Sequence, residues 1–183
     1  MIGRLTRYGT VSVISVMAAL CAWAGPPAEA KIAGMMDVVQ AKSGTSVSEA
    51  IVKEIDLKTT ARFVLGKHAR RATPDEIDAF TLNFETYLTG FFEGRTREIE
   101  TGNVTVIGSV DRSANDCIVT TRVSSDLRDP MIVRWRLLER EGTWRLIDVE
   151  VHGVWLAIEQ RAQIDSLIDQ GFRIEEIYTE PTR

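Results

Sequence analysis

The stretch Thr73 to Phe92, TPDEIDAFTLNFETYLTGFF, constrains the fold more than any other part of the chain. Thr73 is a capping residue type, Pro74 suits the first helical position and Glu76 stands three residues after the cap, so a reciprocal capping box and a favoured proline coincide. Ile77, Phe80, Phe84, Tyr87, Leu88 and Phe91 then recur at spacings of three and four and share a face. Asp75, Asp78, Asn83, Glu85 and Thr89 take the other. A helix this amphipathic has to lay its rings against a second layer, and the later sequence supplies an antiparallel sheet. Whether that contact is closed or admits a guest is the functional question.

Residues 1–30 read as a cleaved export signal: Arg4 and Arg7, an apolar run from Val11 to Trp23, then Ala28-Glu29-Ala30 before Lys31. Cleavage after Ala30 is favoured, with Ala24 the alternative. The apolar run is too short for a spanning helix. An acylated Cys21 is disfavoured because Ala18-Ala19-Leu20 lacks the small residue expected just before it. Residues 31–183 then make a single domain. Removing residues 1–30 takes away two basic residues and one acidic residue, leaving 20 basic and 25 acidic, a net charge of −5 that argues against nucleic acid as a partner. Cys117 is the only cysteine left, which excludes an internal disulfide and reads as a small buried hydrophobe in a strand.

Three helices are expected before Thr73. Ile32, Met35, Met36 and Val39 share a side of a weak helix from Lys31 to Ser43. Ser46 and Glu49 offer a capping box for a short helix to about Ile55, and Asp56 caps a third from Leu57 to about Arg71, with Gly66 a soft spot inside it. Beyond Gly94 the period changes to two. Val104, Val106 and Val110 alternate in a first strand, and Cys117, Val119, Thr121 and Val123 in a second, with Gly108-Ser109 read as a turn pair. Met131, Val133, Trp135 and Leu137 mark a third strand, and Ile147, Val149 and Val151 a fourth. A three-residue loop Arg140-Glu141-Gly142 sets Trp135 opposite Ile147, Val133 opposite Val149 and Arg134 opposite Asp148. Trp155 to Gln170 returns to helical spacing and Gly171 stops it. The expected fold is α+β: a four-stranded curved antiparallel sheet with N-terminal helices and a C-terminal helix packed on one face.

Titratable residues are few. His68 sits among Lys67, Arg70 and Arg71 on a helix surface, and His152 has Asp148 and Glu150 upstream but alternates with Val151. Two distant histidines and one cysteine do not make metal-ligand spacing. No nucleophile elbow or phosphate-cradling glycine loop is present. The alternative site is the apolar surface itself, Phe63, Phe80, Phe84, Leu88, Phe91 and Phe92 facing Met131, Val133, Trp135, Val149 and Val151, which by composition alone reads equally as plain core.

With these residues in view, the chain resembles the MlaC or toluene-tolerance auxiliary family of periplasmic phospholipid-binding proteins. The resemblance rests on Phe63-Val64-Leu65-Gly66, on Ala72-Thr73-Pro74-Asp75-Glu76 with the Phe80/Phe84 helix, on Gly142 to Val149, and on Gly153-Val154-Trp155-Leu156 with Arg161 and Gln163. It implies a non-catalytic carrier of phospholipid with no metal and no cofactor. The implied partners are an inner-membrane ABC transporter complex and an outer-membrane lipoprotein, in a system that maintains outer-membrane lipid asymmetry. Trp155 stands where the family more often has a small polar residue, and so would narrow the way in. The segment before Asp56 is shorter than the family's, which implies a smaller pocket. A second expectation is an exported domain of the nuclear-transport-factor-like kind, an enzyme around His152 and Asp148 or a binding module with a solid core. It gains if those two residues line the hollow, whereas the carrier gains if Val149 and Val151 do.

Overall fold

A computed structural model of the chain describes residues 25–95, 102–125 and 128–179. Its order is α1 Gly25–Gln40, α2 Thr45–Lys53, α3 Leu57–Leu65, a short turn of tighter helix at His68–Arg70, α4 Pro74–Glu93, strands β1 Asn103–Ser113, β2 Asp116–Ser125, β3 Arg128–Arg140, β4 Thr143–Val151 and β5 Val154–Trp155, then α5 Leu156–Asp169 and a last turn at Ile174–Glu176. Of the export signal expected over residues 1–30, residues 1–24 lie outside the described residues. Gly25–Ala30 belong to α1.

The strongest local signals fold as written. Thr73 Oγ1 accepts the N–H of Glu76, and the Glu76 carboxylate accepts the N–H of Thr73 at 2.7 Å. Those bonds to the carboxylate hold it below the usual glutamate range. Ile77, Phe80, Phe84 and Leu88 are buried, and so are Ile32, Met35, Met36 and Val39 of α1. Asp56 caps α3 by accepting from Thr59 N at 3.0 Å. Two helix readings are corrected. Ser46 builds no capping box; its hydroxyl donates to Ser43 O, and Gly44 stands at the cap with no side-chain bond. The third helix ends at Leu65 because Gly66 turns left-handed, with φ 54°, so Gly66 is a terminus and not an interior soft spot.

The sheet is open and antiparallel, in the order β1-β2-β3-β4-β5. Five strands stand where four were expected, because Val154–Trp155 pairs with Val151 and Glu150 before α5 begins. Gly108-Ser109 lies inside β1 at a bulge rather than in a turn. The bulge adds one residue and inverts the alternation: Ser109 now pairs with buried Val119, and Val110 points out with 65% of its surface exposed. Cys117 is buried as expected, and burial, followed by a hydrogen bond with Asp111, pushes its thiol up to about 12.

The β3–β4 hairpin differs in the same way. Its loop is two residues, Glu141-Gly142, both with positive φ (52° and 77°) in the turn geometry that matches strand twist. A bulge at Ile147 then absorbs one residue, so Trp135 pairs with Val149 and not Ile147, and Arg134 with Glu150 and not Asp148. Leu146 joins the inner face opposite Leu137. Trp135 satisfies its indole by donating to Thr121 Oγ1 at 2.9 Å. On the other side, Arg134 Nη1 reaches both Glu150 oxygens at 2.8 and 3.0 Å.

Helices α1, α3 and α5 touch the sheet, α1 over β1 and β2, α3 and α5 over β4. Helix α4 packs chiefly on α2, α3 and the Ile174–Glu176 turn. It is therefore a roof carried by other helices, with its rings turned inward into the shared core. The α2–α3 link is pinned to β4, with Asp56 N donating to Leu146 O at 2.7 Å and Leu146 N to Glu54 O at 3.1 Å. Among the described residues no helix is long and apolar enough to cross a membrane.

Candidate functional site

Under the roof lies an apolar crevice of about 20 Å³, room for about one water molecule. Phe84, Leu88 and Phe92 of α4 form its upper wall, and Leu146 to Val149 of β4 its floor. Ile55 and Thr60 close one side, and Leu156 and Ala157 the other. The rings of α4 and the strand beneath them meet almost without a gap, as parts of one buried core.

The twelve residues proposed from sequence divide around this space. Phe84, Leu88, Phe92 and Val149 line it. Phe80 lies one turn away, fully buried and stacked on Phe84 with centroids 5.7 Å apart. Val133 and Trp135 are buried in the sheet's inner face, and Met131 and Val151 are half-buried beside that core. Trp155 is half-buried in β5 at the start of α5. Phe91 sits on another side of α4, its ring edge-on to Phe92 at 5.4 Å and capped by the Arg95 guanidinium at 3.7 Å. Phe63 is placed outside: it is exposed on α3, under Arg161 at 5.5 Å.

Sequence reasoning finds Val149 in the floor and misses the rest of the floor and the sides. Leu146 was lost with the hairpin register, and Thr60 and Ala157 carry no apolar stripe strong enough to mark them. Leu156 was in view as part of Gly153-Val154-Trp155-Leu156, but its place beneath α4 depends on the short strand β5 before it.

Asp148 is the one carboxylate on the wall, 8% exposed. Its Oδ1 accepts the N–H of Val149 at 2.8 Å and of Ala157 at 2.9 Å, which makes it the cap that ties the start of α5 to β4. Burial raises its carboxyl above the ordinary aspartate value, and the two backbone bonds work against that rise. His152 is exposed at the β4–β5 turn with φ 54°. The expected test by direction divides: Asp148 and Val149 line the crevice, and His152 and Val151 do not.

A roof strap completes the site. The tail crosses α4, where Asn83 Nδ2 donates to the carbonyls of Glu175 at 3.0 Å and Ile177 at 3.3 Å. Ile177 is buried, and the Tyr178 ring lies against Phe80, Phe84 and Tyr87. The Tyr178 hydroxyl donates to Gln160 of α5, so one side chain links the two helices that enclose the crevice. Burial pushes that phenol well above its usual range.

His68 was read as a surface residue far from any ligand set. It stands within 4.8 Å of Asp165 and Asp169 in ligand-atom terms, but Lys67 Nζ lies 2.8 Å from the same Asp165 oxygen that His68 Nε2 meets at 2.8 Å. An ammonium already holds the position a cation would take, and the two partners keep Asp165 below the usual carboxylate range.

Fold and site together define an α+β protein whose helices roof a narrow apolar crevice over an open antiparallel sheet. The chain belongs to the MlaC family, whose model matches residues 36–180. One similar solved structure is a phospholipid-binding protein from Ralstonia solanacearum, determined in complex with a phospholipid. It is 20% identical with a TM-score of 0.71, covering 82% of this chain and 92% of that one, a likeness of fold. No curated protein matches the sequence.

Proposed function

We propose that the protein is an exported, periplasmic carrier of phospholipid, the soluble component of an ABC-type lipid transport system between outer and inner membranes. The observation that carries this reading is membership of the MlaC family together with a phospholipid-binding neighbour of the same fold, and the nearly closed apolar seam between the rings of α4 and the strand β4 is where a lipid tail would enter. Burying each methylene is worth about 0.8 kcal/mol, so a two-tailed lipid in water needs apolar cover while its head group stays wet. At about 20 Å³ the crevice is too small for an acyl chain. Loading therefore requires α4 to lift from β4 and α5, with the Tyr178 strap yielding as it moves.

Export through the N-terminal segment fits the carrier reading, and processing after Ala24 suits the fold better than after Ala30. Ala28 is fully buried in α1 and Glu29 accepts a hydrogen bond from Ser109 of β1 at 2.6 Å, contacts that cleavage after Ala30 would remove. The enzyme reading loses its pair, since Asp148 is spent on two backbone N–H groups and His152 is turned to solvent.

Native mass spectrometry of the protein purified from its own periplasm tests the proposal. A co-purifying lipid mass is expected, together with a rise in melting temperature when phospholipid is returned to delipidated protein. Absence of both overturns it.

A further inference from the structure

In a chain of net charge −4, the seventeen residues from Leu57 to Thr73 hold Lys58, Arg62, Lys67, Arg70 and Arg71 and no acidic residue. The fold turns this run outward. Helix α3 buries Thr60, Ala61, Val64 and Leu65 and leaves Lys58, Arg62 and Phe63 exposed. Gly66 then redirects the chain so that Lys67, Arg70 and Arg71 line one shallow cleft with Asp169. Lys67 also lines the next cleft, with Arg161 and Ile158 of α5. The two clefts form one continuous face.

Its acidic counterweight is small. Asp165 is taken by Lys67 and His68, and Asp169 is the other carboxylate at the edge. Among the described residues, Lys58, Arg62, Arg70 and Arg71 form no ion pair. The face also exposes apolar surface where a solvated charge run would have none: Phe63 is 37% exposed with the Arg161 guanidinium over its ring, and Ile158 is 55% exposed.

We propose that this face docks the protein on an anionic phospholipid bilayer. Guanidinium groups pair with lipid phosphates, and a ring and an aliphatic side chain among them suit the head-group boundary, where basic and apolar contacts act together. An acidic protein surface with apolar pockets is the competing occupant, and the test below separates the two. The face lies on the outer side of α3 and α5, the helices that flank the crevice, and shares no residue with the crevice lining. The proposal rests on the carrier reading for its purpose but not for its test.

The test is sedimentation of the full chain with vesicles of phosphatidylcholine alone or with about one-third phosphatidylglycerol, at low and high salt, with lipid released to the supernatant measured in the same tubes. Binding to the anionic vesicles is expected to exceed binding to neutral ones by at least about tenfold and to fall with salt. Arg70→Glu with Arg71→Glu should lose about tenfold or more of it. Both arginines are exposed, and the melting temperature verifies that the variant folds. Equal binding to both vesicles, or an unaffected charge-reversed protein, overturns the proposal. So does a wild-type chain that ignores vesicles but is held by a polyglutamate resin through these arginines, which would assign the face to an acidic protein. Docking without lipid release would count against the carrier reading and leave the docking face standing.

Discussion

Tyr178 stacks on Tyr87 with ring centroids 4.3 Å apart, while its hydroxyl reaches across to Gln160. Its backbone holds φ at 64°, a conformation a tyrosine adopts at a cost, so the packing overrides local preference. The strap thereby fastens α4 to α5, a contact that the proposed lipid entry would have to undo.

Replacing Tyr178 with alanine should lower unfolding stability by about 1–3 kcal/mol, less than a fully buried ring because Tyr178 is only partly buried. If the strap restrains the roof, the same variant loads lipid faster. Tyr178→Phe keeps the stack and forfeits the bond to buried Gln160, costing about 1 kcal/mol. Urea unfolding and stopped-flow uptake of a fluorescent phospholipid read the two effects. Slower loading in Tyr178→Ala would remove the strap from the mechanism.

Asp148 supplies a pH signature. Burial raises its carboxyl in the folded state, so over the interval between its unfolded and folded values the native protein holds a proton that the unfolded chain has released. Stability from this group is therefore lost as pH rises through that interval, and at neutral pH the charged form is a standing cost. Asp148→Asn keeps an oxygen for the N–H groups of Val149 and Ala157, and should be as stable as wild type or more stable at pH 7, with the advantage vanishing in acid. Asp148→Ala leaves both N–H groups buried without that acceptor and should cost about 1–3 kcal/mol. Denaturant midpoints across pH separate the two; a wild-type-like pH slope in Asp148→Asn would refute the assignment.

What could be read from sequence was what local chemistry determines. Thr73, Pro74 and Glu76 start α4 by contacts within one turn, and Ile77, Phe80, Phe84 and Leu88 bury because the 3.6-residue period leaves them no other side. The two bulges were not readable. An extra residue at Ile147 leaves the same trace in the pattern as a longer loop at Arg140, and the long-loop reading was chosen because it kept Asp148 off the inner face. The protein uses the tight turn and buries Asp148 anyway, against the N–H of Ala157. The crevice was legible only from above. Its upper wall lies on the one helix whose period is unmistakable, whereas its width depends on α3 and α5 acting as spacers, a long-range relation that no window of sequence carries.

Gly66 and Arg161 form a tight steric pair. A Cβ on Gly66 would lie 2.7 Å from Arg161 Nε, and φ of 54° strains any other residue there. Gly66→Ala should cost about 1–3 kcal/mol, mostly backbone strain, with a smaller part for displacing the flexible end of Arg161. Arg161→Ala in the same chain removes the steric part, so the double variant should be more stable than the sum of the two single losses predicts. A thermal-melt double-mutant cycle measures this coupling, and strict additivity would show that the backbone alone demands the glycine.

The N-terminal helix makes the last prediction. Gly25 to Ala30 form the opening of α1, where Ala28 is fully buried and Glu29 accepts from Ser109 at 2.6 Å. That contact sits just beyond the β1 bulge, so the residue the bulge turns inward is the one α1 engages. A chain starting at Lys31 gives up this bond and shortens the helix that covers β1 and β2. It should be about 1–2 kcal/mol less stable than one starting at Gly25, a drop of roughly 2–8 °C in melting temperature for a domain of this size. Ser109→Ala in the longer chain should reproduce part of the loss and have no effect in the shorter one. Equal melting temperatures for the two chains would place the fold's true start after Ala30.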